Sequence, residues 1–504
     1  MAETATPTDD ARAAVPAASR WLALFVLCAG MLMIVLDQTI VNVALPSIRG
    51  DLGFSQSGLA WVVNAYLIAF GALLLLAGRL GDLVGRKRVF LLGMTVFVAA
   101  SLLCGLSQSQ AMLIAARFVQ GVGGAMTSAV ILGMIVTTFP EPSEQAKAMG
   151  VYSFVASGGA SIGLLLGGVL TQALNWHWIF FVNLPIGIVA GLLAVRLLAR
   201  EPGIGLRQGA DLPGAALITG GLMLLVYTIV KTSDYGWGSA RTLGFGAAAA
   251  VLLAGFFVRQ ATAAKPLVPL RLFRSRNVSG ANLTQALMVS ALFGMFFLGS
   301  LYMEQVLRYD PLQIGLAFLP VAVVIGALSI GLSARLIGRF GARALLLPAL
   351  SATGAGLLLL IRLPVAASYA TDLLPSMLLL GIGLGLAFPA TVTLAMSGAT
   401  PSDAGFASGL ANTTLQVGGA LGLAVLASLA ASRTNHLLAT DGPAAALTGA
   451  YHLVVAVGAV LVLAAAVVTL TLLRPEGAVG LPRWRPRAQT GAAPVPCGEL
   501  VPCD

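Results

Sequence analysis

The sequence predicts an all-α polytopic membrane protein with fourteen transmembrane helices: two six-helix bundles with two further helices inserted between them. Three observations carry this prediction: scarce charge, apolar segments of spanning length, and a loop string that occurs twice. Of the 504 residues, 58% are hydrophobic and 10% charged, with a mean hydropathy of +0.93. A chain folded in water carries about 25% charged residues to solvate its surface. So little charge means that a solvent other than water faces most of this protein.

The apolar segments follow one another along the chain. Spans of about 20 apolar residues cross a bilayer. They are read at 21–45, 58–78, 89–106, 110–138, 146–171, 178–199, 212–231, 242–262, 278–304, 313–334, 343–361, 372–397, 405–431 and 450–473. Residues 1–19 are polar and rich in Ala, Thr and Pro, which predicts a disordered N-terminus. The first apolar segment has no signal-peptide cleavage pattern and contains Asp37, so it is read as a retained first helix. A disordered tail is expected over 475–504. Cys28 and Cys104 lie in apolar segments and Cys497 and Cys503 in the tail, a spacing that suggests neither a disulfide framework nor a zinc site.

An even number of spans puts both termini on one side, and Arg and Lys say which. Arg86, Lys87, Arg88, Lys147, Arg207, Arg271, Arg274, Arg276, Arg335, Arg339 and Arg343 all fall on the side of the termini. Opposite stand only Arg49, Lys231, Arg241, Arg308, Arg362 and Arg433. Both termini are therefore expected in the cytoplasm, and the abundance of Ala, Gly and Arg suggests a bacterial chain, hence its inner membrane. The net charge of +10 and pI near 9.9 are explained by this topology and do not call for nucleic acid. Trp176 and Trp178, flanking His177 on the opposite side, are expected to anchor at the membrane interface.

The repeat fixes the organisation. Gly78-Arg79-Leu80-Gly81-Asp82-Leu83-Val84-Gly85-Arg86-Lys87-Arg88 follows the second segment, and Ala334-Arg335-Leu336-Ile337-Gly338-Arg339-Phe340-Gly341-Ala342-Arg343 follows the tenth. The Arg-Leu step, the later glycine and the trailing base coincide, while Asp82 becomes Gly338. Parallel repeats with a substrate site between them are an established transporter architecture. The expected units are bundles over 20–200 and 277–474, with the inserted helices and a basic linker over 201–276.

Ionisable residues deep in apolar segments are costly, about 2.5–3.5 kcal/mol on insertion scales, and usually functional. Two stand well inside, Asp37 and Arg117. At 1.5 Å per residue Asp37 lies about 12 Å and Arg117 about 10 Å from the same membrane face. They are candidates for proton coupling, Asp37 being protonated and released while Arg117 biases it; a fixed buried ion pair is the plainer alternative. Asp82, Arg86 and Arg88 are candidates for a gating latch, because setting topology needs the bases but not the acid. Glu304, at the end of the ninth segment, either attracts cationic substrate or is simply solvated beside Arg308. Gly159, Gly163, Gly167 and Gly168 make a small-residue face for close helix packing or a hinge. Gly381, Gly383, Gly385 and Pro389 suggest a second adaptable helix.

No Gly-x-x-x-x-Gly-Lys-Ser/Thr loop or His-Glu-x-x-His string occurs, and no catalytic cluster is apparent, so an enzyme is not expected, nor a metal or other cofactor. Work would come from an ion gradient. One charge falling through 100 mV supplies ~2.3 kcal/mol, and a tenfold ratio needs ~1.4 kcal/mol.

Together the strings resemble a known family. Leu36-Asp37-Gln38-Thr39-Ile40-Val41-Asn42-Val43-Ala44-Leu45-Pro46 is similar to the first-helix signature of the fourteen-helix drug:proton antiporters of the major facilitator superfamily. Gly78 to Arg88 resembles that superfamily's cytoplasmic loop motif, and Arg117-Phe118-Val119-Gln120-Gly121 its fourth-helix proton-relay motif. The resemblance runs from about Trp21 to Leu473 and departs at one place: Gly163-Leu164-Leu165-Leu166-Gly167-Gly168 lacks the proline usual after the first glycine. It implies a major facilitator fold, Asp37 and Arg117 in proton coupling, Asp82 in a latch, and efflux of hydrophobic or cationic drugs. The implied partners are a small organic substrate, protons and the lipid bilayer, with a monomer as the working expectation. A transporter of a defined metabolite such as a siderophore is the alternative within the fold; a membrane enzyme or a sensor lies outside it.

Overall fold

The computed structural model describes residues 17–139, 141–199, 203, 205, 211–264, 266–267, 270–397 and 404–473. The expected disordered tails, most of the 200–210 stretch and parts of the basic linker lie outside the described residues. No strand occurs among the residues described.

The helices are α1 (Ala17–Leu52), α2 (Gln56–Val84), α3 (Arg86–Gly105), α4 (Gln110–Thr138), α5 (Pro142–Ala173), α6 (Trp178–Phe181), α7 (Asn183–Leu197), α8 (Leu212–Tyr235) and α9 (Ala240–Thr262). A 3-10 turn at Leu270–Arg274 leads into α10 (Arg276–Gln305), α11 (Pro311–Ala327), α12 (Ser333–Phe340), α13 (Ala342–Leu360), α14 (Leu374–Met396), α15 (Ala404–Leu437) and α16 (Pro443–Thr471). Their starts are written locally. Ser55, Ser109, Asp211, Ser239 and Ser275 each accept a backbone N–H of the following first turn. Asp310 and Gln313 form a reciprocal capping box at α11. Such caps satisfy donors that a helix start otherwise leaves free.

Twelve described helices are long and apolar enough to cross a membrane. The fourteen segments expected from the sequence include two that fall short of that measure: Ser161–Ala173 within α5 and Pro311–Ala327. As a helix, α5 nevertheless runs unbroken for 32 residues. α11 stops at 17 residues because a π-turn over Leu328–Leu332 interrupts the register before α12 continues.

Helix contacts fall into two sets with one pattern. In the first, α1 packs on α5 and α7, and α4 on α2 and α3; in the second, α10 packs on α15 and α16, and α14 on α11 and α13. The sets meet along α2–α15, α5–α11 and α1–α10. α8 and α9 pair with each other, and α8 lies against both α2 and α15.

The repeated loop is structural as well as textual. Gly85 and Gly341, equivalent in the two strings, have φ of +99° and +83° and join consecutive helices, a backbone shape that glycine adopts without strain. The equivalent bases also do one job. Lys87 Nζ donates to the carbonyls of Val195 (2.8 Å) and Leu198 (2.6 Å) at the end of α7. Arg343 donates to those of Thr469 (3.5 Å) and Leu470 (3.0 Å) at the end of α16. Each closes its half by capping a helix C-terminus, where cations are favoured.

Candidate functional site

Five elements of the first half converge on Asp37. The carboxylate, 0% exposed, is in the middle of α1; Arg117, 1% exposed, faces it from α4. Arg117 Nη1 donates to Asp37 Oδ2 at 2.5 Å. The other carboxylate oxygen accepts from Gln120 Nε2 (2.7 Å) and from Asn183 Nδ2 (3.2 Å), at the start of α7. Arg117 Nη1 also donates to Gln120 Oε1 (2.7 Å), and its Nε to the Val62 carbonyl of α2 (2.9 Å). Ser101 of α3 accepts from Gln120 and Asn183 and donates to the Phe180 carbonyl at 2.9 Å. Above the pair, the Tyr66 ring centroid lies 4.4 Å from the guanidinium carbon, a cation–π contact.

Burial makes this arrangement consequential. A buried charge is tolerated only when it is paired and hydrogen-bonded. Asp37 has one cationic and two amide donors, so its negative charge is fully met. A proton arriving on the carboxylate would cancel half of the pair and leave Arg117 with Gln120 and the Val62 carbonyl.

The sequence reading found Asp37 and Arg117 and placed them at one depth. Gln120 enters it only within the relay-motif string, and Ser101, Asn183 and Tyr66 are not singled out. Gln120 was within reach, because it lies three residues after Arg117 on the same helix face. Ser101, Asn183 and Tyr66 carry no spacing signal that links them to Asp37.

The latch residues are placed differently. Asp82, in the last turn of α2, meets Arg86, the first residue of α3, at 3.3 Å across the Gly85 turn. Arg86 also reaches the Gly133 carbonyl of α4 at 3.4 Å. Arg88 is exposed, while Lys87 is the buried base. Residues 398–403, which precede α15, lie outside the described residues.

The glycine face resolves into two contacts. Gly159, Gly163 and Gly167 lie against Leu32 and Val35, Thr39 and Leu36, and Ile40 of α1, in parallel register. The salt bridge from Arg20 to Glu144 (2.9 Å) holds the same register at the helix starts. Gly168 turns the other way, onto Pro311 and Leu312 of α11 in the second half. Where the family's proline would stand, Leu164 is buried and α5 runs on helically. The letters Gly159-Ala160-Ser161-Ile162-Gly163 also match the spacing of a hydrolase nucleophile elbow, a string the sequence reading passed over. They lie mid-helix with both glycines against α1, without the strand-to-helix turn that such chemistry needs.

Glu304 is partly buried at the end of α10, within electrostatic reach of Arg49 of α1 and of Arg308. Trp176 is no interfacial anchor: it is 3% exposed, donates to Asp51 Oδ2 at 2.9 Å and stacks on His177. Trp178 is exposed, as an anchor would be.

Two packed helix sets, with a buried charge network inside the first, make a multi-pass membrane protein. Residues 27–423 match the Major Facilitator Superfamily, and the chain belongs to it. It is 39% identical over 452 residues to the puromycin resistance protein pur8 of Streptomyces alboniger, covering 89% of this chain and 90% of that one. It is 40% identical to the cephamycin export protein CmcT of Amycolatopsis lactamdurans, covering 82% and 85%. A solved bacterial homolog of the human lysosomal transporter Spinster, inward-facing and unoccupied, superposes with a TM-score of 0.63 at 17% identity, over 90% of this chain and 97% of that one. That likeness concerns the fold alone.

Proposed function

We propose that this protein exports hydrophobic or cationic antibiotics across the bacterial inner membrane in exchange for protons, by alternating access. The single observation that supports proton exchange is the buried, hydrogen-bonded Asp37–Arg117–Gln120–Asn183 network. The relatives named for puromycin resistance and cephamycin export support an antibiotic as cargo. Asp37 takes up the proton, and Arg117 holds the empty site closed until it does. Asp82, Arg86 and Arg88 act as the latch at the cytoplasmic end, and Glu304 with Arg49 stands at the outer one. Both termini are cytoplasmic in this reading, supported by the placement of Arg and Lys, and the chain crosses fourteen times as a monomer. The two bundles are residues 20–200 and 277–474, with α8 and α9 inserted.

The test is susceptibility in an efflux-deficient bacterial host, wild type beside Asp37→Asn at equal membrane abundance, with drug-driven proton release measured in everted vesicles. Resistance and proton release in the wild type, both lost in the variant, are expected. Resistance retained by Asp37→Asn overturns its role; no resistance to any compound shifts the cargo to a dedicated metabolite.

A further inference from the structure

The seam between α2 and α15 joins the two halves, and it is not wholly apolar. Gly71 of α2 abuts Gln416 and Val417 of α15, and its carbonyl accepts from Thr413 Oγ1 at 3.0 Å. Leu75 of α2 abuts Gly409. Positions 64, 68, 71 and 75 of a helix share one face, so Asn64 belongs to the face that α2 presents to α15. Asn64 is 0% exposed, and neither its Nδ2 nor its Oδ1 has a hydrogen-bond partner. Gln416, 3% exposed, has an unpartnered Oε1 in the same seam.

A buried carboxamide with neither end satisfied is a cost that leucine would not incur. Asn64, and the Gln416 oxygen on the facing helix of the other half, are both relieved if the seam parts. We propose that Asn64 and Gln416 form a polar subsite, masked in this state, that hydrogen-bonds an uncharged hydroxyl, carbonyl or amide of the exported molecule when α2 and α15 separate. Carboxamides offer donors and acceptors but no charge, so the subsite takes polar neutral groups and ignores an apolar cation. Residues built to hydrogen-bond a ligand group discriminate strongly against ligands that lack it. This rests on the export reading above and names which part of the cargo the seam reads.

The test uses the full-length protein and two probes: puromycin, which carries hydroxyl and amide groups, and tetraphenylphosphonium, which has none. Asn64→Leu and Gln416→Leu are expected to leave tetraphenylphosphonium efflux within about twofold, lower puromycin efflux at least about tenfold, and raise the melting temperature in detergent. Equal loss for both probes, or no change for either, overturns the proposal. A second arm does not depend on export. Asn64→Cys, in a background with Cys497→Ser and Cys503→Ser, is treated with N-ethylmaleimide in native membranes. Modification that puromycin slows is expected; no modification shows that the seam stays shut at Asn64, and modification indifferent to puromycin shows hydration without recognition. Either overturns the subsite. Failure of the wild type to export either probe would instead count against the export reading, while the maleimide arm still decides whether the seam opens.

Discussion

The two halves share a helix order and a glycine-hinged loop, yet their interiors hold different chemistry. The first half buries a carboxylate, a guanidinium, two carboxamides and a serine in one network. Among the described residues, no ion pair forms between side chains of α10–α16. There the α11–α14 contact is built on glycine, proline and a π-turn. Gly381 and Gly385 of α14 lie on α11, and Gly383 on Thr353 of α13. Pro389 has no N–H to give the Gly385 carbonyl one turn back. Ser329 (3.1 Å) and Ser333 (2.9 Å), at the π-turn, donate to that carbonyl instead. One half stores charge and the other supplies a helix pair whose backbone bonds are borrowed from neighbouring side chains.

The sharpest way to break this contrast is to empty the charged half. Arg117→Met alone leaves Asp37 buried without its cation and is expected to destabilise by about 3–5 kcal/mol. Asp37→Leu with Arg117→Met removes both charges and is expected to recover most of that loss while remaining inactive. Thermal unfolding in detergent, read beside efflux, checks both. If the double variant transported with proton release, the pair would be a structural device only.

A smaller effect is expected where the first half is most tightly packed. A side chain at Gly163 would run into Thr39 and the Leu36 carbonyl of α1. Gly163→Val is expected to cost about 1–3 kcal/mol through overpacking. Removing the Arg20–Glu144 bridge, whose side chains are 26% and 31% exposed, should cost under about 1 kcal/mol. Unfolding midpoints of the two variants rank register held by shape against register held by charge.

In the second half the borrowed bonds should be redundant. Ser329→Ala and Ser333→Ala each leave the Gly385 carbonyl one donor and are expected to cost less than about 1 kcal/mol. The double variant orphans it and should cost about 1–3 kcal/mol, more than the sum of the singles. Additive losses would show that the two hydroxyls do not share this task.

Much of the fold was legible because bilayer physics leaves few choices: length, apolarity and basic loops place nearly every helix. Asp37 and Arg117 were legible for the same reason, since charge inside an apolar segment stands out. The break in α11 was not, because nothing in Leu328 to Leu332 marks a π-turn in the letters. Ser329 and Ser333 make sense only once Pro389, far along the chain, lies beside them. Trp176 misled because a tryptophan near a helix end looks the same whether it faces lipid or an aspartate. Asn183 and Ser101 are ordinary polar residues until tertiary structure brings them to one carboxylate.

The smallest expected effect concerns one of the positions at which the two loop copies part. Asp82 pairs with Arg86, whereas its counterpart Gly338 sits within α12 with nothing within 4 Å of where a Cβ would stand. Glycine in a helix interior is disfavoured by about 0.5–1 kcal/mol relative to alanine. Gly338→Ala fills no contact and strains no backbone, so it should stabilise by about that amount. If stability rises and efflux is unchanged, the second loop is scaffold and gating belongs to the Asp82 copy. Should efflux fall as stability rises, the glycine is kept for motion at α12, and both halves share in switching. That outcome would replace the contrast between a charged half and a pliant half with one in which each loop moves for a different reason.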